Sequence, residues 1–177
     1  MQVWAQDEMR TGLQPILRRS WSPVGKRPIA TCVKEYDWCY VYGFVRPATG
    51  DTEWLIMPTV NTNAFSSALK HFAKQVGASK HKKIVLVLDG AGWHRSKDLV
   101  IPDGIHLVFQ PAYSPEVQPS ERLWPLIREA IANLAFSTIY DLEDAIAKRC
   151  NQLSEQKELL KSYTLFHWWK DVDLIPA

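Results

Sequence analysis

Ile84-Val85-Leu86-Val87-Leu88 is an unbroken run of large aliphatic side chains closed by Asp89. Side chains of a strand alternate between the two faces of a sheet, so a run without a polar residue has no face to give to water and must be covered on both. A chain containing such a strand has to supply layers above and below a sheet, which points to an α/β architecture. The carboxylate at the end of the run falls on the sheet rim, where ligands bind in open α/β folds. There it must be solvated, hydrogen-bonded or paired with a cation. With 177 residues, 46% of them hydrophobic, the chain can build one such core and hardly two.

The rest of the chain reads as elements that could form those layers. Gln2 to Gln6 alternates loosely and leads into Asp7 and Glu8, a first strand ending in acids. Prolines 15, 23 and 28, with Gly12 and Gly25, break Met9 to Pro28 into loop. Strands are expected at Ile29–Val33, Trp38–Val45 and Glu53–Met57; three successive strands with short links make an antiparallel meander. Asn61 or Thr62 caps a helix running to about Val76, with Phe65, Leu69, Phe72, Ala73 and Val76 at helical spacing and Gly77 as its stop. A helical crossover into Ile84–Asp89 makes the strands it joins parallel, so the sheet is mixed. A strand at Ile105–Gln110, a turn at Pro111–Pro115, and helices at Glu121–Leu134 and Ile139–Leu153 follow, the last capped by Ser137 or Thr138. The segment from Tyr163 to Trp169 is strongly aromatic.

Asp7, Asp89 and Glu121 then come from the first strand, the buried strand and a late helix. If the two strands are neighbours their ends meet, and the helix can lay a third carboxylate beside them. Oxygen ligands without an obvious His or Cys partner suit hard cations such as Mg²⁺, which keep several waters and bind substrate phosphates. Two such ions ~3.5–4 Å apart can stabilise both the attacking and leaving oxygens of a phosphoryl displacement. Two choices stay open: Glu8 replaces Asp7 if the register slips by one, and Glu116 competes with Glu121, one of them serving the helix dipole.

Charge decides little, since 21 Lys and Arg against 19 Asp and Glu neither demand nor exclude nucleic acid. Cys32, Cys39 and Cys150 form neither a disulfide framework nor a zinc knuckle. No apolar run approaches the ~20 residues of a membrane span and no leader pattern opens the chain, so a cytoplasmic protein without membrane contact is expected. Trp93 and Trp124 could stack on bases, or belong to the core. His94 could bond a phosphate or order its own loop, and Arg18 and Arg19 could meet a DNA backbone or simply be solvated.

Two segments carry more than spacing: Val87-Leu88-Asp89-Gly90-Ala91-Gly92-Trp93-His94, and Phe109-Gln110-Pro111-Ala112-Tyr113-Ser114-Pro115-Glu116-Val117-Gln118-Pro119-Ser120-Glu121-Arg122-Leu123-Trp124. Through them the chain resembles, from about Val3 to Leu153, the catalytic domain of DDE transposases of the bacterial insertion-sequence branch related to mariner elements. The resemblance implies the ribonuclease H-like fold shared with retroviral integrase: a mixed five-stranded α/β sheet, three antiparallel strands plus parallel ones, flanked by helices. It implies Asp7, Asp89 and Glu121 as catalytic residues and ligands of two Mg²⁺ ions, with Mn²⁺ able to substitute. The implied partner is DNA, both transposon ends and target; a homodimer is expected, and Trp93, His94, Arg18, Arg19 and Tyr113 are the candidate contacts. The reaction would be hydrolysis of a phosphodiester at the element's end, then attack of the freed 3′ hydroxyl on target DNA.

The chain departs from the family at Gly90 and Gln118, both usually Asn, and in the 32 positions from Asp89 to Glu121, a little fewer than usual. By this resemblance residues 1–177 form one DDE catalytic domain, its core about 3–153 and its aromatic tail 154–177. There is no room for the helix-turn-helix DNA-binding region that precedes it in complete members. Two other readings stand beside it: a catalytically impaired, truncated transposase that acts as a dimerising regulator, and a ribonuclease H-like nuclease acting on hybrids.

Overall fold

The apolar run forms β4 (Ile84–Leu88), an interior strand of a five-stranded sheet in a computed structural model that describes residues 1–26, 28–29, 35–111 and 114–170. Its neighbours are β1 (Gln2–Gly12) and β5 (Ile105–Phe109), both parallel to it. On the far side of β1 lie β2 (Trp38–Arg46) and β3 (Asp51–Met57), each antiparallel to the one before, giving the order β3-β2-β1-β4-β5. The mixed sheet expected from the sequence is thus present, but its meander is β1-β2-β3. Ile29 lies outside any strand and is 97% exposed, while the rest of the strand expected at 29–33 lies outside the described residues.

One face of the sheet is covered by α1 (Thr62–Val76), whose periodic apolar positions pack Phe65, Leu69 and Phe72 onto Trp4, Tyr42, Phe44, Leu86 and Leu88. Phe72 stacks on Phe44 with ring centroids 4.3 Å apart and meets Trp4 edge-on at 5.1 Å. Asn61 caps the helix by accepting the Ala64 N–H, and Gly77 ends it in the left-handed region at φ 67°.

The other face is covered by α2 (Leu123–Ile131) and α3 (Ile139–Glu155), which bury Leu123, Ile127, Ile131, Leu142 and Ile146 against Val3, Ala5, Met9 and Val41. Thr138 and Asp141 cap α3 reciprocally. A helix not expected from the sequence, α4 (Lys157–Thr164), and a turn at His167–Trp169 fold the tail onto this layer, where Leu160 and Trp169 join the core. No helix among the described residues is long and apolar enough to cross a membrane.

Two boundaries differ from expectation. β1 does not stop before its acids but runs on to Gly12, because β2 pairs with it from Ala5↔Val45 to Gly12↔Trp38. The helix expected from Glu121 begins at Leu123, preceded by a 3₁₀ turn at Pro119–Arg122, and ends at Ile131. Pro125 is tolerated at its third position because the first turn of a helix has no internal acceptor for that N–H. Since Phe72 fills the space between two rings, Phe72→Ala is expected to cost about 3–5 kcal/mol in urea unfolding.

Candidate active site

The site follows from two strands of unequal reach. β1 and β4 pair from Gln2↔Ile84 to Ala5↔Val87, and β4 ends at Leu88. Carried on by two residues, that register sets Asp7 across from Asp89, both with the parity of Val3, Ala5, Val85 and Val87 and so toward the α2–α3 face. Beyond Ala5, β1 has lost its parallel neighbour, and the turns before α2 occupy the gap. Gln118, buried there, donates Nε2 to the Gln6 carbonyl at 2.8 Å. Gln110, just past β5, donates to the Val117 carbonyl at 3.1 Å and to Gln118 Oε1 at 3.2 Å. The turn bearing Glu121 is thereby anchored to the sheet rim. Asp7, Asp89 and Glu121 line one cavity of about 410 Å³; Glu116, on the preceding turn, is exposed and does not line it.

Asp7 Oδ2 accepts the Trp124 indole N–H at 2.7 Å. The indole crosses β2 at Gly43, the residue paired with Asp7, where an added Cβ would come within 2.8 Å of Trp124 Cη2. Burial pushes the Asp7 carboxyl up to about 7, opposed by the Trp124 bond and reinforced by the charges of Glu121 and Glu8. This wall of the cavity is short of positive charge.

Asp89 is the opposite case. The His94 bond, with help from the Ala91 N–H and the charge of Arg95, outweighs partial burial and holds its carboxyl below the usual range. His94 Nδ1 lies 2.7 Å from Asp89 Oδ1, and Nε2 lies 3.0 Å from Glu8 Oε1. Burial depresses the imidazole pKa, but the two carboxylates overcome it and raise it to about 9. Glu8 points to the α1 face, away from the cavity, so it and Asp7 are not interchangeable here.

The residues named as nucleic-acid contacts scatter. His94 is 1% exposed and sits behind Asp89, out of reach of a phosphate. Trp93 is half-buried, with its N–H 3.0 Å from His94 Nε2. Trp124 is buried, with no face for a base. Arg18 and Arg19 are exposed on the segment after β1, where the Arg18 backbone N–H bonds Asn133 Oδ1 at 2.8 Å; neither lines the cavity. Tyr113 lies outside the described residues. The contributions of Glu8, Trp124 and Gln118 escape a sequence reading, because each depends on a partner remote in the chain.

Among the described residues no three His, Cys, Asp or Glu side chains gather closely enough to cage an ion. The three acids instead line an open wall, an arrangement compatible with a hard cation that keeps water and takes its other oxygens from substrate.

A mixed sheet in this order with helices on both faces is a ribonuclease H-like fold. Residues 2–143 match the family of DDE superfamily endonucleases, and the chain belongs to that family. It is 33% identical over 132 residues to the uncharacterized protein y4pE/y4sA of Sinorhizobium fredii (strain NBRC 101917 / NGR234), covering 74% of this chain and 96% of that one. It is 25% identical over 133 residues to the insertion element IS630 uncharacterized 39 kDa protein of Shigella sonnei, covering 73% of this chain and 38% of that protein. In fold it is similar to the Mos1 mariner paired end complex with Mn, at a TM-score of 0.58 and 14% identity, over 93% of this chain and 56% of that one.

Asp7 offers a test in the metal-free protein. Its folded pKa of about 7 lies above the ordinary 3.8, so its contribution to stability is full below the ordinary value and is lost as pH rises through about 7. Asp7→Asn is expected to raise stability at and above neutral pH, by on the order of a few kcal/mol, with the gain vanishing in acid. Thermal melts of both proteins across pH measure it.

Proposed function

We propose that this chain is a transposase catalytic domain that cleaves DNA phosphodiesters and transfers strands, with Asp7, Asp89 and Glu121 as its acids. The observation that carries the reading is their convergence: three elements far apart in sequence bring one carboxylate each to a single cavity where β4 stops and β1 continues. The donor set fits Mg²⁺, with Mn²⁺ as a substitute, and Asp7, Asp89 and Glu121 would hold such ions. The fold neighbour crystallised with Mn supports the choice of metal. Bound there, such ions supply charge stabilisation to the attacking and leaving oxygens.

What the chain itself does is hold its ligands. Trp124 takes one oxygen of Asp7 and leaves the other for a cation. Gln118 and Gln110 hold the turn, and with it Glu121, against the rim. Arg95 lies over the Phe109 ring, 4.5 Å from its centroid, next to Gly90 on the cavity wall, and can meet a DNA phosphate. Arg18 and Arg19 would meet DNA farther from the acids. A homodimer would let two copies each act on one transposon end before both meet target DNA.

The test is cleavage of duplex DNA carrying element ends with Mg²⁺. Asp89→Asn is expected to abolish cutting while leaving the circular dichroism spectrum intact, with a lower melting temperature because the charge-assisted bond to His94 is weakened; a variant that still cuts removes Asp89 from the mechanism. An RNA–DNA hybrid serves as the comparison substrate. If hybrids alone are cut, the chain is a ribonuclease H-type nuclease and the transposase reading falls.

A further inference from the structure

Asp89 has one carboxylate oxygen already committed. Oδ1 lies 2.7 Å from His94 Nδ1 and accepts the Ala91 N–H at 3.1 Å. The imidazole is buried, and its other nitrogen lies 3.0 Å from Glu8 Oε1, on a side chain only 7% exposed. Carboxylates only accept, so both ring nitrogens bear hydrogen and donate outward. The Trp93 N–H reaches toward the same Nε2, but a nitrogen that donates to Glu8 has no lone pair to offer, and the charge-assisted bond is the stronger. Phe65 of α1 packs against the ring with centroids 4.3 Å apart. The imidazole is thus clamped from three sides.

Stability alone gives a poor reason for this arrangement. Burying a carboxylate and an imidazole is costly even when they are paired, and apolar side chains of similar volume commonly serve a core as well or better. Glu8 does not line the acidic cavity, and its side chain faces the opposite layer. Among the described residues the pair contacts, the carboxylate open to solvent is Asp89, whose side chain is 55% exposed. Without the ring, a carboxylate at a strand end could rotate among several staggered orientations.

We propose that Glu8 and His94 are positioning residues for Asp89. Glu8 fixes the ring, the ring fixes Oδ1, and Oδ2 is left to a divalent cation in the cavity. This rests on the reading of Asp89 as a metal ligand. Partners that orient a ligating side chain in this way typically change metal affinity about 10–100-fold when removed.

Calorimetric titration of the full chain with Mn²⁺ separates the two ideas. Native protein is expected to bind and Asp89→Asn to lose binding. Glu8→Gln, equal in size and neutral, is expected to weaken Mn²⁺ affinity about 10–100-fold in protein that keeps its native circular dichroism at the titration temperature, with a lower melting temperature because a buried pair is broken. His94→Asn, which keeps a donor near the Nδ1 position, is expected to bind more tightly than His94→Leu. If His94→Leu does not fold, Glu8→Gln carries the test. Native affinity in Glu8→Gln, with binding lost in Asp89→Asn, overturns the positioning role and leaves the ligand reading standing. Native affinity in Asp89→Asn, or no binding by the native chain, overturns both.

Discussion

A hydrogen bond from one side-chain amide to one strand carbonyl organises the acidic end of this protein. The Gln6 carbonyl lies one residue past the last pair between β1 and β4, buried where no parallel strand continues. A buried carbonyl needs a donor, and the Gln118 amide supplies it. The proline-bounded turns are docked by that contact, and Glu121, the start of α2 and the Trp124 indole all follow from where they dock. If β4 were two residues longer, its backbone would compete for that place and the cavity would narrow.

The two aspartates show how one rim can treat like groups differently. Each has an oxygen held by a ring N–H, yet an indole is neutral and the imidazole between two acids is charged. Burial therefore dominates at Asp7 and raises it, while the charged ring dominates at Asp89 and lowers it. Environments that push the affinities of paired carboxyls apart are typical of sites built for chemistry.

Much of the sheet was legible because its signals are local. The continuous run at β4, the aromatic strand β2, and the capped periodic helices α1 and α3 each carry their own pattern. β1 was legible only in its first half, since Asp7 and Glu8 read as a strand's end. Their partners, Trp124 and His94, lie 117 and 86 positions away, and no local pattern shows that a sheet can keep those acids. Helix α4 is short and holds only Leu160 and Thr164 as buried contacts, too little periodicity to announce itself. At the site, motif and spacing singled out the three acids, whereas Gln118 read as a departure and proves to be an anchor. His94 read as either a phosphate contact or a residue ordering its own loop and is interior, because loop residues near a strand end can fold inward as easily as out.

Gly43 shows how far the vulnerability of such a cavity extends beyond its acids. It bears no polar atom, sits on a strand that contributes no carboxylate, and leaves open the corridor through which an indole crosses the sheet. Drift to alanine there would crowd the corridor with a single methyl group while leaving every acid in the sequence. A variant carrying that change would keep all three carboxylates and lose only the space that the indole occupies.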